Sequence, residues 1–298
     1  MRLIRTKAAL ATAALALTMA ACGDAGDDGE AADTPEVEVE ENAADEFDEG
    51  TRMRELAEAG SINIGVKFDQ PGIGFKGATD DIPQGFDPEI GKILAADLGI
   101  APDDITWTET ISDNREPFLE SGEVDLVIAS YSITDERRAV VGQAGPYYET
   151  GQQLLVHADN DEIEGVEDIK GMEVCSVTGS TSLDNVKAEG AKPRGFDTYS
   201  ECVDQVLDGT VDAMTTDGAI LLGYAAENPD ELKVVGDPFS TERYGVGYSP
   251  DAPEMCEWIN EQLTEAFEDG SWEEAFEATL GLSDVETPET PELDPCQG

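Results

Sequence analysis

The chain has 298 residues, with 17 Lys and Arg against 67 Asp and Glu, and a formal net charge of −50. So acidic a chain lacks the basic footprint that nucleic acid requires, which argues against nucleic-acid binding, and anionic lipid would repel it. Charge of this size keeps a surface soluble and by itself names no partner.

The first 22 residues read as a lipoprotein signal. Arg2, Arg5 and Lys7 form a positive start, and Ala8 to Ala21 is apolar but too short to span a bilayer comfortably. The run ends in MAAC, so Cys22 is the expected lipidation site and new N-terminus; Met19 stands where such signals most often carry Leu. An ordinary secretory peptide is the alternative. Residues 23–51 read as a disordered acidic tether. From Gly23 to Gly50 there are 13 Asp and Glu, no Lys or Arg, and one aromatic, Phe47. Such a segment buries too little apolar area to offset its ordering entropy, and its charges repel one another. Without the signal, 14 basic residues face 67 acidic ones, a balance of −53.

Strand-like and helix-like patterns alternate along the body. SINIGVKF reads as a strand. DPEIGKILAADLG reads as a helix with Asp87 as N-cap, Pro88 at the first helical position and Gly99 at its end. DITWTET is a strand, REPFLESG a short helix, and VDLVIAS a buried strand. The order then restarts. GQQLLVHAD, MEVCSVT, VDAMTTD, LKVVG and RYGVGYSPD are strands. GVEDIKG is a helical turn, and TSLDNVKAEG, TYSECVDQVLDG and GAILLGYAAENPD are helices. The end is one helical stretch, with Trp258, Leu263, Phe267, Trp272 and Phe276 on a core-facing stripe. The repeated order is α/β and suggests two lobes with a cleft at the carboxyl ends of their strands.

Cys175, Cys202, Cys256 and Cys296 make an even count in an exported chain, which suggests two disulfides. Three pairings are possible. Cys175–Cys202 with Cys256–Cys296 is preferred: the first joins a strand to a nearby helix, and the second ties the acidic tail, 283–298, to the body. A zinc site is the weaker alternative, since there is no C-x-x-C pair and the one histidine is His157. No metal and no cofactor is expected.

GFDPEIGKILAADLG, SGEVDLVIASYSITDERR, GPYYETGQQLLV, VTGST and GTVDAMTTDGAIL, in this order, resemble the polar amino-acid-binding proteins of ABC importers, solute-binding family 3. VKFDQPGIGF, CSVTGST and YSECVD are most similar to actinobacterial glutamate-binding lipoproteins. The resemblance implies a two-lobed periplasmic-binding-protein-like clamshell (type II) with two hinge strands, near Leu154 and Val246. Lobe 1 would be 52–151 plus 245–282, and lobe 2 would be 152–244.

It also implies site residues. Arg137 aligns with the arginine that binds the ligand's α-carboxylate, for which a planar fork of donors is suited. Ser132 would donate to the same carboxylate, and Ser130 would offer its carbonyl to the ammonium. The same segment can be read as Thr134 capping a short helix. In VTGST, Ser180 and Thr181 precede a helix whose N–H groups form an anion seat. Asp217 matches the ammonium-binding aspartate; its ordinary reading is an N-cap. Lys67 and Arg115 fall at side-chain positions and would meet a second carboxylate. Phe68 and Phe75 would wall the pocket, and Tyr199 and Thr178 would add hydroxyls. His157 would pack.

These residues imply a binding module: a lipid-anchored monomer on the outer face of the cell membrane that captures L-glutamate or a related acidic amino acid and delivers it to ABC permease subunits. The alternatives are a cleft enzyme of the same fold, similar to cyclohexadienyl or arogenate dehydratase, and a ligand-sensing receptor partner.

Overall fold

The computed structural model describes residues 37–283 and 285–296. The signal reading and the first part of the tether, 1–36, lie outside them. The elements begin with α1 (Arg52–Ala59), β1 (Ile62–Val66), the hairpin β2 (Asp69–Gln70) and β3 (Gly74–Phe75), α2 (Phe86–Asp97), β4 (Ile105–Glu109), α3 (Arg115–Ser121), β5 (Leu126–Val127), α4 (Asp135–Arg138) and β6 (Gly142–Thr150). Then follow β7 (Gln152–His157), β8 (Glu173–Val177), α5 (Thr181–Ala188), β9 (Lys192–Phe196), α6 (Tyr199–Leu207), β10 (Ala213–Asp217), α7 (Gly218–Glu227), β11 (Leu232–Val235), β12 (Glu242–Tyr248), α8 (Met255–Asp269) and α9 (Ser271–Glu277).

Two five-stranded sheets result, in the orders β4-β1-β5-β12-β6 and β11-β7-β10-β8-β9. Each has a parallel centre, β4-β1-β5 in one and β10-β8-β9 in the other, completed by antiparallel strands. The chain passes from the first sheet to the second at Gly151, between β6 and β7, and returns between β11 and β12. Glu242 pairs with Thr150 and Tyr244 with Tyr148, so residues 242–244, expected in the second lobe, belong to the first sheet. Pairing with β6 decides this.

An aromatic cluster stands behind the first sheet. Phe86, Tyr147, Tyr148, Trp272 and Phe276 make tilted, edge-on or stacked contacts with ring centroids 5.5 to 5.9 Å apart. Trp272 Nε1 donates to Tyr147 O at 2.8 Å, which satisfies its only polar atom. The terminal helical stretch is broken at Gly270, whose φ of 91° ends α8 and starts α9. Trp258, Leu263, Trp272 and Phe276 are buried as expected, while Phe267 is only partly so.

Three local readings are corrected. From Val37 the tether packs on the body: Glu40 N donates to Ala96 O at 3.0 Å, Ala43 is buried and Phe47 joins the core. Two apolar side chains docked on a groove outweigh what the composition implied for 37–51. Second, α2 opens at Phe86 after Gly85, and Asp87 does not cap it; its carboxylate is buried and bonded elsewhere. Third, β6, β9 and the β2–β3 hairpin were not foreseen as strands. Cys175–Cys202 joins β8 to α6 and Cys256–Cys296 joins α8 to the tail, with Cα atoms 5.8 Å apart in each.

Candidate functional site

The strand ends that face the space between the sheets carry the polar groups. β5 runs into Ser130, whose φ of 43° is left-handed for a side-chain-bearing residue. Asp87 holds this conformation: its Oδ2 accepts from Ser130 N at 2.7 Å, and its Oδ1 accepts from Tyr147 Oη at 2.6 Å. Strain of this kind persists only where the surroundings over-determine it. Thr134 then caps α4, its hydroxyl accepting from Arg137 N at 3.2 Å, so the helix-cap reading holds. The cap also aims Arg137 inward.

Arg137 Nη1 donates to Ser132 O at 2.6 Å and Nη2 to Gly179 O at 3.0 Å. Its Nε lies 3.4 Å from Glu116. Arg115, at the start of α3, donates from Nη2 to the same Gly179 O at 3.1 Å and from Nε to Ser112 O at 3.2 Å. Both guanidinium carbons lie over the ring of Tyr131, at 4.5 and 5.0 Å. Two donor forks on the first-sheet side therefore converge on one carbonyl contributed by the turn after β8.

From the second sheet come Ser180, Thr181 and Asp217. Ser180 is the N-cap of α5, accepting from Leu183 N at 3.1 Å and donating to Val177 O at 2.6 Å. Thr181 Oγ1 donates to Glu242 Oε2 at 2.9 Å. Asp217 ends β10 and starts α7, yet its side chain makes no capping bond. Its Oδ2 accepts from Tyr244 Oη at 2.6 Å. Oδ1 is buried with no hydrogen-bond partner among the described residues. An N-cap would satisfy that oxygen, so capping does not account for this aspartate.

Arg115, Ser130, Ser132, Arg137, Ser180, Thr181, Asp217 and Tyr199 line one small, nearly closed cavity, together with Ser112 and Ser182. Lys67, Phe68 and Phe75 do not line it. Lys67 is buried and donates to the lining Ser112 Oγ at 2.9 Å. Phe68 packs on the core and under Lys76 Nζ, 5.2 Å from its ring centre. Phe75 pairs with Gln84. Thr178 is exposed, and His157, at the end of β7, pairs with Leu232. Among the described residues, no group of three or more His, Cys, Asp and Glu could hold a metal ion.

Burial dominates the electrostatics. It drives the Lys67 ammonium down to about 7, helped by Arg115, and the Arg115 guanidinium to about 10, helped by Arg137. Burial likewise raises the Asp217 carboxyl to about 7, with Glu242 adding to the shift. Asp87 also rises to about 7 by burial, against the lowering effect of its bonds from Tyr147 and Ser130. Perturbed groups of both signs, gathered at a cleft, make it the candidate functional site. The arrangement suits a small zwitterion: paired forks for a carboxylate, and an underused carboxylate for an ammonium.

Ser112, Ser182, Asp87, Tyr244 and Glu242 had no sequence signal of their own. The left-handed Ser130 was hidden because serine carries no mark for that conformation.

The chain is similar to known proteins over most of its length. Residues 62–281 match the family described as bacterial extracellular solute-binding proteins, family 3. The chain is 38% identical to the glutamate-binding protein GluB of Corynebacterium efficiens, covering 93% of this chain and 91% of that protein. It is 33% identical to the ABC transporter glutamine-binding protein GlnH of Bacillus subtilis, over 87% and 91% of the two chains. Among solved structures, an ancestral arginine-binding protein bound to glutamine superposes with a TM-score of 0.69 at 37% identity, covering 74% of this chain and 98% of that one.

Proposed function

Because the chain belongs to the bacterial extracellular solute-binding proteins, family 3, we propose that it captures L-glutamate outside the cell and hands it to an ABC permease. In this reading it is a monomeric lipoprotein held at the outer face of the membrane through Cys22, and it binds its ligand without transforming it. The observation that carries the ligand class is the cavity itself. Arg115 and Arg137 face it from one sheet, and Asp217, with an unpartnered Oδ1, faces it from the other.

Arg137 takes the α-carboxylate in a bidentate pair, with Ser132 and the N-terminus of α5 beside it. Asp217 takes the ammonium. Arg115 and Lys67 supply the charge for a side-chain carboxylate. Groups from both sheets meet one ligand, so the ligand favours the closed arrangement over the open one. The close relative named for glutamate supports this reading. Phe68 and Phe75 take part only if the hairpin shifts when ligand is bound.

One observation favours glutamine as a second reading. Burial brings Lys67 down to about 7, so roughly half of it is an uncharged amine at pH 7, and the lone pair of that form accepts a hydrogen bond from an amide N–H. Calorimetric titration with L-glutamate, L-aspartate, L-glutamine and L-arginine separates the two. Tight glutamate and weak glutamine binding supports the acidic ligand. The reverse order keeps the clamshell and overturns the second-carboxylate role of Lys67 and Arg115.

A further inference from the structure

The C-terminal residues 285–296 lie beyond the span that matches the family, 62–281, yet they pack back against β6, α8 and α4. Cys296 is bonded to Cys256 on α8. Two residues earlier, Asp294 N donates to Gly145 O of β6 at 2.8 Å. Asn260 of α8 clasps both partners: Nδ2 donates to Asp294 O at 2.9 Å, and Oδ1 accepts from Gly145 N at 2.9 Å.

The Asp294 carboxylate then holds two arginines. Arg243 of β12 meets it bidentately, at 2.7 and 3.1 Å, and Arg138 of α4 meets it at 2.8 Å. Partial burial pushes this carboxyl up, but the bonds from Arg243 and Arg138 outweigh burial and hold it below its usual range. Arg138 is mostly buried, and its Nε has no partner among the described residues, so Asp294 is the acidic group that offsets its charge.

Both arginines lead onward. Arg243 Nε donates to Glu149 of β6 at 3.0 Å, and Arg243 O accepts from Ile133 N at 2.7 Å. Arg138 Nη2 donates to Gln143 O at 3.3 Å. The buried Gln143 side chain donates to Ser132 O and accepts from Thr134 N, both at 3.3 Å. Ser132 O is the acceptor for Arg137 Nη1. Hydrogen bonds linked through the backbone and side chain of Gln143 thus join the tail to the arginine that faces the cavity, and a second set joins it to the strands flanking the crossover.

We infer that the C-terminal strap is a positioning element for the ligand site, in which Asp294 fixes the Ser132–Arg138 segment and sets how tightly Arg137 engages a carboxylate. This rests on the glutamate-binding reading for its affinity readout. Asp294 is a positioning residue and does not touch the ligand.

The test uses the full chain, with Asp294→Asn, Asp294→Glu and Arg243→Gln. L-glutamate affinity, thermal unfolding and amide hydrogen exchange of residues 132–138 are measured on each. Asp294→Asn is expected to weaken glutamate roughly tenfold and to speed exchange at 132–138 while β8 and β10 keep their protection. Asp294→Glu is expected to recover most of the affinity. Lowered melting alone, with affinity and 132–138 exchange as in wild type, would overturn the inference and leave a merely stabilising tail. If the wild-type protein binds no glutamate, the ligand reading fails by itself, and the exchange at 132–138 in Asp294→Asn still decides the positioning role. Arg243→Gln keeps the Arg138 contact and is expected to show a smaller effect of the same kind.

Discussion

Arg137 presents a planar fork of donors at the cavity, and its loss is the most direct probe of the proposed site. Hydrogen bonds to charged partners are worth about 1.5–3 kcal/mol each, so Arg137→Ala is expected to weaken glutamate by about a hundredfold in calorimetry. Arg137→Lys, which keeps charge but loses the fork, should fall between. Asp217 and Lys67 make a second, linked prediction. Asp217 titrates near 7 instead of 3.8, so it contributes stability that is full below about 4 and lost as pH rises through 7. Lys67 titrates near 7 instead of 10.5, so its contribution is full above about 10.5 and lost as pH falls through 7. A ligand ammonium lowers the Asp217 value and releases a proton. A side-chain carboxylate raises the Lys67 value and takes one up. At pH 7 the wild type should therefore exchange little net proton, Lys67→Met should release roughly half a proton and Asp217→Asn should take up as much. The dependence of binding enthalpy on buffer ionisation enthalpy measures this; an unchanged proton count in both variants would show that neither group meets the ligand. Arg115, Arg137, Ser132 and Asp217, which the structure places on one cavity, were legible through the order of the motifs that resemble the family, not through composition, since aspartate is common in a chain with 67 acidic residues. Asp87 and Tyr244 were not, since their roles arise from contacts 43 and 27 residues away in sequence.

The contact between α7 and the β2–β3 hairpin joins two elements from opposite sides of the cleft. Tyr224 Oη donates to Asp69 O, and Asp69 Oδ2 accepts from Tyr199 N at 2.7 Å. Gly223, on the same helix, faces Pro71 so closely that a Cβ there would collide with the Pro71 carbonyl, which is backbone and cannot swing aside. Gly223 lies inside a helix, where alanine is favoured by about 1 kcal/mol. Gly223→Ala should therefore leave the second sheet's body folded while holding the hairpin off α7. The expected outcome is glutamate binding weakened at least tenfold, with a larger radius of gyration by small-angle scattering in saturating ligand. Wild-type affinity would show that closure does not need this contact. The same elements show where sequence reading stops. Strands with continuous apolar runs, such as those around Val127 and Met214, and helices with a polar face were visible. β9, reading KPRGF and largely exposed, was not, because it is held by backbone pairing to β8 and offers no alternation. β6 was missed because GQAGPYYET mixes glycine and proline into a strand whose burial comes from β12 and α8.

Across the whole molecule, the acidic surface and the cationic cleft act on different lengths. The net charge of −50 repels a glutamate anion far from the surface, whereas Arg115, Arg137 and Lys67 act within a few ångströms. Screening separates the two: the Debye length falls from about 30 Å at 0.01 M salt to about 8 Å at physiological strength. Raising salt through this range removes the long-range repulsion before it touches the short-range pairs. The association rate of glutamate, followed by stopped-flow intrinsic fluorescence, should therefore rise with salt, while the dissociation rate changes little. That is the opposite of the usual behaviour of electrostatically steered binding, in which salt slows association. An association rate that is flat or falls with salt would mean that the field at the cleft mouth is already positive, with the three buried cations outweighing the surface at the distance from which the ligand is drawn in.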